Sequence, residues 1–236
     1  MAFQIENQRF GNSAREVLAD SSVGAFMAGV YRWMFVGLGL TAGVAFYTAT
    51  NVAMLGFVRR SFFFLMIAEF GLVFGLSLLA RKLSGPVAGV MFLAYSALNG
   101  LTLSSLFLIY RLGSLGLVFS ITAATFGALA LYGTFTKRDL SPMRQFLFIG
   151  LIGIVVASVV NLFVHSSGLT FIMSCAGVLV FGGLTAYDNQ KIRQMAVSSG
   201  NGSVASLSVV GALILYLDFL NLFLSLLQLF GGRRRD

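Results

Sequence analysis

The sequence predicts an all-α polytopic membrane protein, and its composition alone excludes most other classes. Hydrophobic residues make up 58% of the 236 positions and charged residues 10%, whereas a soluble domain carries roughly 25% charged residues. A chain of this length has too much surface for its volume to bury so much apolar area in a water-soluble core. A single cysteine also excludes a disulfide-rich secreted scaffold.

Seven apolar runs reach the length of about 20 residues that a membrane-spanning helix needs, so we predict a bundle of seven transmembrane helices. The runs cover residues 31–50, 61–80, 87–110, 113–136, 145–164, 169–187 or beyond, and 207–230. In order, they are separated by Arg59 and Arg60, residues 81–86, Arg111, residues 137–142, residues 165–168 and residues 198–203. The chain therefore divides into a polar segment 1–28, a seven-helix domain 29–231 and a basic tail 232–236.

Prolines and glycines add detail to these elements. Pro86 and Pro142 each stand at a predicted helix start: Ser84-Gly85-Pro86 opens the third span, and Ser141-Pro142 fits an N-cap followed by proline at the first helical position. Small residues at four-residue spacing let helix backbones approach closely in lipid. Three such pairs occur within or beside the first three runs: Gly39 and Gly43, Gly71 and Gly75, Gly85 and Gly89. These pairs favour a compact bundle.

Lysine and arginine are distributed unequally between the two sides of the predicted bundle. Ten of the 16 fall on the side of the N-terminus and six on the other. The six are Arg59, Arg60, Arg111, Arg233, Arg234 and Arg235. Because basic residues accumulate on the cytoplasmic side, we predict a cytoplasmic N-terminus. An odd number of spans places the basic tail outside, whereas a last segment that re-enters would keep it inside.

Three acidic residues lie within or at the end of the apolar runs: Glu69, Asp188 and Asp218. A charged side chain at the bilayer centre costs about 2.5–3.5 kcal/mol on insertion scales, so an acid there is a functional candidate. Asp218 stands near the middle of the last run, and Asp188 ends the sixth. Taken alone, Asp188 would also fit an ordinary helix-end residue.

The turn between the last two helices predicts that the two aspartates meet. The strongest turn signal lies at residues 198–203, so residues 189–197 are predicted to continue the sixth helix. A hairpin folded there places Asp188 and Asp218 at matching heights, each ~22 Å from the turn. Two carboxylates in a low dielectric cannot both ionise cheaply, so we expect them to share a proton. Once deprotonated, their oxygens suit calcium.

Other polar residues narrow the function without deciding it. Asn221 shares a helix face with Asp218, and Asn99 interrupts the third run, so both, together with Glu69, are candidates for lining a pore. One histidine and one cysteine cannot build a zinc or haem site, and no nucleophile with a base and an orienting group is apparent, so an enzyme is not expected. The scattered basic residues do not form a nucleic-acid surface, and we expect the partner to be the lipid bilayer.

Four blocks of the sequence resemble the Bax inhibitor family, also called the transmembrane BAX inhibitor motif family. They are YSALNGLTLSS at 95–105, TKRDLS at 136–141, GLTAYDNQKI at 183–192 and LYLDFLNLF at 215–223. The blocks follow the family's order, and the similarity runs from about Tyr31 to the C-terminus. It is greatest to the bacterial inner-membrane branch.

This resemblance implies a seven-helix bundle with the last helix at its centre and a pH-sensitive calcium leak. It implies that Asp188 and Asp218 share protons and gate the pore, with calcium as permeant ion and no cofactor. An arginine of the second helix would act as a latch; Arg81 lies one residue beyond the position that an alignment on Glu69 gives. Some bacterial members are linked to membrane-protease regulation.

Two other functions stay open on the sequence. A non-transporting regulator would use the polar segment 1–28 to bind membrane proteases or other membrane proteins, and loss of the aspartates would affect only its stability. A proton-coupled transporter would need a solute-binding site, for which we find no constellation of residues. A retinal photoreceptor is disfavoured because the last run contains no lysine for a Schiff base.

Overall fold

The computed structural model describes residues 2–79, 82–198 and 204–234, and the side chains of 21–79, 82–197 and 205–234. Over these residues the chain forms eight helices: α1 (Ala2–Thr50), α2 (Val52–Leu79), α3 (Gly85–Leu103), α4 (Leu106–Ile109), α5 (Leu112–Phe135), α6 (Met143–Val164), α7 (Ser167–Ser198) and α8 (Val204–Phe230). Seven segments are long and apolar enough to cross a membrane, with α3 and α4 forming one of them. The predicted seven-helix membrane bundle is confirmed.

The last helix, α8, lies at the centre of the bundle. It packs against α1, α3, α5 and α7, and 67% of its most apolar window is buried, compared with 11% for α2 and 6% for α6. The two peripheral helices pack mainly on α3 and α7 respectively. They point phenylalanines outward at Phe63, Phe64, Phe70, Phe74, Phe146, Phe148 and Phe163. The expected central position of the last helix is confirmed.

The first two spans begin earlier than the charges predict. The inner face of α1 is already buried at Val23, eight residues before the predicted start of the first span. Helix α2 starts at Val52, where Asn51 Oδ1 accepts hydrogen bonds from two backbone N–H groups of the first turn at 3.0 and 3.2 Å. Both helices can include an arginine, Arg32 in α1 and Arg59 in α2. The aliphatic part of an exposed arginine side chain lies along apolar surface while its guanidinium group stays in water.

The third span is interrupted between α3 and α4. Ser104 Oγ donates to the carbonyl of Leu101 at 2.6 Å, and Ser105 Oγ donates to the carbonyl of Thr102 at 3.0 Å. These bonds to the residue three positions back compete with regular helical bonding. The chain therefore turns at Ser104 and Ser105 before the single turn of α4.

Close helix approach occurs mostly at glycines other than the predicted pairs. Among the predicted pairs, only Gly85 and Gly89 lie in tight contact with another helix, whereas Gly39, Gly43 and Gly71 face open space. The tightest contact instead joins α5 to α7, where a Cβ on Gly133 would collide with the carbonyl of Ala186. Spacing alone does not show which face of a helix meets a neighbour.

The C-terminal tail is bonded to the start of α5. Arg111 N donates to Gly232 O at 3.1 Å, Arg234 N donates to Ile109 O at 2.9 Å, and Gly232 N donates to Ser114 Oγ at 2.7 Å. We call residues 231–234 with 109–114 the C-terminal clip. It places the tail at the same end of the bundle as Arg111, so α8 crosses the bundle and does not re-enter.

A methyl group at Gly133 should destabilise the bundle. Gly133→Ala forces α5 away from the Ala186 carbonyl, and overpacking of this kind costs about 1–3 kcal/mol. Gly127→Ala is the matched control, because nothing lies within contact distance of a Cβ on that residue of the same helix. Thermal unfolding of the detergent-solubilised protein should show a lower midpoint for Gly133→Ala only; equal midpoints for the two variants would contradict the α5–α7 contact.

Candidate functional site

The candidate site lies where α7 and α8 face each other, around Asp188 and Asp218. Asp218 is 5% exposed, and its Oδ2 atom is buried without a hydrogen-bond partner among the described residues. Asp188 is half-buried and lies within electrostatic range of Asp218. The structure therefore brings together the two aspartates that the sequence singles out.

The position of the turn predicts that the two aspartates lie at the same height. In the structure they are instead offset along the helix axis by about one helical turn. Contacts across the hairpin pair Ser174 with Gln228 and Gly177 with Ser225. This register places Asp188 opposite a residue four positions before Asp218, which is ~6 Å along the helix. These contacts are symmetrical about position 201, in the middle of the predicted turn at 198–203, whereas Asp188 and Asp218 are symmetrical about position 203, at its edge.

Two cations lie within electrostatic range of Asp188: Lys191, one turn along α7, and Arg144 in the first turn of α6. The predicted latch, Arg81, lies outside the described residues. The helix before it, α2, packs mainly on α3. Arg144 is thus the cation from another helix that the described structure brings to Asp188.

Asn189, next to Asp188, ties three helices together. Its side chain is fully buried. Asn189 Nδ2 donates to Thr134 Oγ1 at 2.7 Å and to the carbonyl of Ala130, both on α5. Its Oδ1 accepts from the hydroxyl of Tyr31 on α1 at 2.8 Å. These bonds hold the Asp188 turn of α7 against α5 and α1.

A polar cavity of about 370 Å³ lies at the end of α7 beyond Asp188, and we call it the mouth cavity. Its lining includes Lys137, Arg138, Asp139, Gln190 and Arg193. Gln190 shapes its rim, because its Oε1 accepts from the backbone N–H of Leu140 at 3.0 Å and its Nε2 donates to the carbonyl of Arg138 at 2.9 Å. Cationic side chains outnumber the single carboxylate in this lining.

Asp139 is the acidic group of the mouth cavity and lies outside the spans. The backbone N–H of Ser141 donates to Asp139 Oδ1 at 2.9 Å and holds the pKa of that carboxyl below its usual value. The carboxyl is fully exposed and stays anionic as pH rises from about 5 to 8, since that range lies above even the ordinary pKa of aspartate. A pH response in this range does not arise from Asp139.

Polar side chains continue from Asp218 along one face of α8 toward the C-terminal end. We call these residues, Asp218, Asn221, Ser225 and Gln228, the polar stripe. Asn221 and Ser225 bond to carbonyls of their own helix at 2.8 and 2.7 Å, and Gln228 Oε1 accepts from Ser174 Oγ of α7 at 2.7 Å. A Cβ on Gly177 would collide with Ser225 Oγ, so α7 closes tightly over the stripe.

The other predicted residues, Glu69 and Asn99, belong to a different part of the bundle. Glu69 Oε1 accepts from Thr102 Oγ1 at 2.9 Å, and Asn99 Nδ2 donates to the carbonyl of Tyr95 at 3.1 Å. This cluster lies on α2 and α3. The structure does not bring Glu69 or Asn99 together with the aspartate pair.

The cluster on α2 and α3 meets the opposite face of α8 at Tyr216. Thr41 Oγ1 donates to the carbonyl of Ser96 at 2.8 Å, so the Tyr216 hydroxyl, 2.7 Å away, donates to Thr41. Tyr216 and Asp218 are two residues apart, about 200° around the helix. α8 therefore separates two polar clusters, one with the aspartates and one with Tyr216.

The aspartate pair can exchange protons, but it can supply only part of the oxygen ligands that a calcium ion needs. Two carboxylates supply at most four oxygens, whereas calcium takes six to eight. A calcium ion between them would keep water molecules or backbone carbonyls in its shell. This arrangement suits an ion in transit better than a resident one.

Sequence reasoning missed several residues of this site: Tyr31, Thr134, Arg144, Ser174, Asn189, Ser225 and Gln228. A signal existed for the polar stripe, because its members follow Asp218 at three, seven and ten residues, the spacing of one helix face. Asn189 adjoins Asp188 in a block already singled out. Nothing in the sequence pattern connects Tyr31 or Arg144 with Asp188.

The sequence is similar to a known family and to several bacterial proteins. The sequence model of the family described as "Inhibitor of apoptosis-promoting Bax1" (Bax1-I) matches residues 23–235. The chain is 47% identical to the inner membrane protein YbhL of Escherichia coli (strain K12) over 96% of its length and 99% of that protein. It is 46% identical to an uncharacterized protein of Deinococcus radiodurans, with 91% and 92% covered. An uncharacterized protein of Borreliella burgdorferi is 44% identical, with 89% and 93% covered.

Removing the Asn189 side chain should loosen α7. Asn189→Ala loses three hydrogen bonds to two other helices, each worth about 0.6 kcal/mol in membrane bundles, so we expect a loss of roughly 2 kcal/mol in unfolding free energy. Asn99→Ala is the control, because the hydrogen bond that the structure describes for the Asn99 side chain stays within its own helix. The readout is reversible denaturation in mixed detergent. Equal losses in the two variants would show that Asn189 does not join the helices.

Proposed function

The chain belongs to the Bax inhibitor family, and from that premise we propose that it is a pH-sensitive cation leak channel, with calcium as the favoured ion. The observation that carries the proposal is the carboxylate of Asp218, which is buried in the central helix within electrostatic range of Asp188 and whose Oδ2 atom has no hydrogen-bond partner in the described part of the chain. Intramembrane acids without a structural partner mark ion or proton pathways.

The proposed gate works through the charge of the aspartate pair. Protonation changes the pair from two like charges, which repel, to a neutral or singly charged pair. This repulsion acts between α7 and α8, the two helices that close over the polar stripe. A change of pH therefore biases two packings of α7 against α8. Arg144 and Lys191 attract an ionised Asp188 and oppose its movement toward α8.

The proposed path runs from the mouth cavity past the aspartates to the polar stripe. In the packing described here the path is closed, because Gly177 lies against Ser225. The cationic lining of the mouth cavity also lowers the local concentration of cations and slows their entry. Both features favour a slow leak over a fast channel.

We further propose that the protein resides in the bacterial inner membrane with its N-terminus in the cytoplasm. The inner membrane is part of the name of the relative in Escherichia coli. The orientation follows from the ten-to-six distribution of lysine and arginine. It makes the mouth cavity cytoplasmic and the C-terminal clip external.

Replacing either aspartate should abolish the pH response of the flux. Calcium flux into proteoliposomes, measured from about pH 5 to 8, should vary with pH for the native chain, and Asp188→Asn and Asp218→Asn should lose that variation because an amide does not titrate. Asp139→Asn is the matched control: it removes a titratable acid near the same end of α7 and should keep the variation.

Two results would overturn the proposal. The first is a flux that never exceeds that of empty liposomes while the protein stays folded; the second is a pH response that survives in both variants. A regulator that binds membrane proteases would then take precedence. Truncation of residues 2–19 separates these cases and keeps the described buried residues of α1, of which Val23 is the first. A channel keeps its flux after truncation, whereas a regulator that uses this segment loses its partner.

An apolar side chain on the polar stripe should reduce the flux. Asn221→Leu removes a polar group from the path, and an unsolvated ion there loses on the order of 1–3 kcal/mol, so we expect a roughly tenfold lower calcium flux. Asn99→Leu makes the same change on α3, away from the stripe, and should leave the flux near the native value. Equal flux in the two variants would exclude the stripe from the path.

A further inference from the structure

An apolar cavity of about 370 Å³ lies between α1, α4, α5 and α8. α1 and α5 both pack on α8 but make little contact with each other, and the cavity occupies this gap. Its walls include Ala45 of α1, Phe107 of α4, Gly116 and Phe119 of α5, and Phe223 of α8. The single polar side chain in the lining, Thr41, already bonds to Ser96 and Tyr216.

The cavity extends through roughly two thirds of one leaflet. Its lining on α5 runs from Leu112, the first residue of the helix, to Phe119, which is ~10 Å along the axis. Half of the hydrocarbon core is ~15 Å thick. The cavity therefore begins at the end of the bundle that carries the C-terminal clip and ends near the middle of the membrane.

Three arginines stand at this end of the cavity. Arg111 immediately precedes the first lining residue of α5, and the clip bonds the segment carrying Arg233 and Arg234 to the chain around it. All three side chains are exposed. Among the described side chains, none of the three has a carboxylate partner. Their mutual repulsion is relieved by an anion, and arginine binds phosphate oxygens in a bidentate manner.

We propose that this cavity and its arginines form a binding site for one anionic glycerophospholipid. One acyl chain fills the apolar cavity between α1 and α5, and the phosphate lies against Arg111, Arg233 and Arg234. The site is independent of calcium flux and of the aspartate pair. It also explains why a basic tail is retained at the end of the bundle with fewer lysines and arginines.

The test measures lipid binding by native mass spectrometry of the delipidated protein, with phosphatidylglycerol as the probe and phosphatidylethanolamine as the zwitterionic comparison. Gly116→Leu places a side chain in the cavity, where nothing lies within contact distance of a Cβ. Gly113→Leu is its matched control, because this glycine of the same helix is equally free of contacts but does not line the cavity. Arg111→Gln, Arg233→Gln and Arg234→Gln remove the charges, with Arg59→Gln and Arg60→Gln as the control at the same end.

The native chain should bind one phosphatidylglycerol more tightly than phosphatidylethanolamine. Each arginine removed should weaken phosphatidylglycerol binding about fivefold, and Gly116→Leu should weaken it at least about tenfold, while both controls bind as the native chain does. The three arginines are exposed, so their replacement should leave the fold intact and tests the site even if Gly116→Leu fails to fold. The proposal is overturned if Gly116→Leu binds as Gly113→Leu does, if the two lipids compete equally, or if the cavity is covered by a second copy and the protein appears as a dimer without lipid.

Discussion

The constraint on which this structure depends is a carboxylate placed in the most buried helix of a membrane bundle. α8 contacts four other helices, and its Asp218 has an oxygen with no partner among the described residues. Stability alone would favour an apolar residue there, since an unpaired buried polar group costs free energy. The surrounding helices therefore serve two purposes: they enclose α8, and α7 brings a second carboxylate within range of the first.

The neighbours of the aspartate pair divide into those that hold α7 and those that allow it to move. Asn189 holds one turn of α7 to α5 and α1 through its amide, and Gly133 lets α5 approach the same turn. On the side facing α8, Gly177 lies against Ser225 without a bond, and Ser174 donates a hydrogen bond to Gln228. This bond lies 14 residues from Asp188, or ~21 Å along α7, so near the aspartates the described side-chain bonds from α7 to other helices run to α5 and α1.

Much of the fold was predictable from the sequence because it follows from hydrophobicity. The seven spans, the helical extension of α7 to Ser198 and the helix start beside Pro86 all depend on local composition. The early starts of α1 and α2 were not predictable from charge, because Arg32 and Arg59 keep their charged ends in water from within a helix. Asp188 and Asp218 were found as single residues, since an acid in an apolar run is conspicuous.

The three-dimensional relations within the site were not predictable from the sequence. The offset between the aspartates follows from where Gly177 meets Ser225, and glycine spacing does not reveal which of 27 glycines meets another helix. The bond between Tyr31 and Asn189 joins residues 158 positions apart, and Arg144 reaches Asp188 only because α6 packs on α7. These relations depend on helix faces and register, which single-residue patterns do not record.

The C-terminal clip has a mechanical consequence for the central helix. Hydrogen bonds fasten Gly232 and Arg234, just beyond α8, to residues around the start of α5, so we expect α8 to tilt about this pinned end. Along the axis of α8, Asp218 lies roughly 18 Å from Phe230, and Val204 lies roughly 39 Å from Phe230. A tilt of about 5° would then displace the helix by ~1.6 Å at Asp218 and by ~3.4 Å at Val204, so a small angular change at the pinned end becomes a side-chain-sized displacement at the far end.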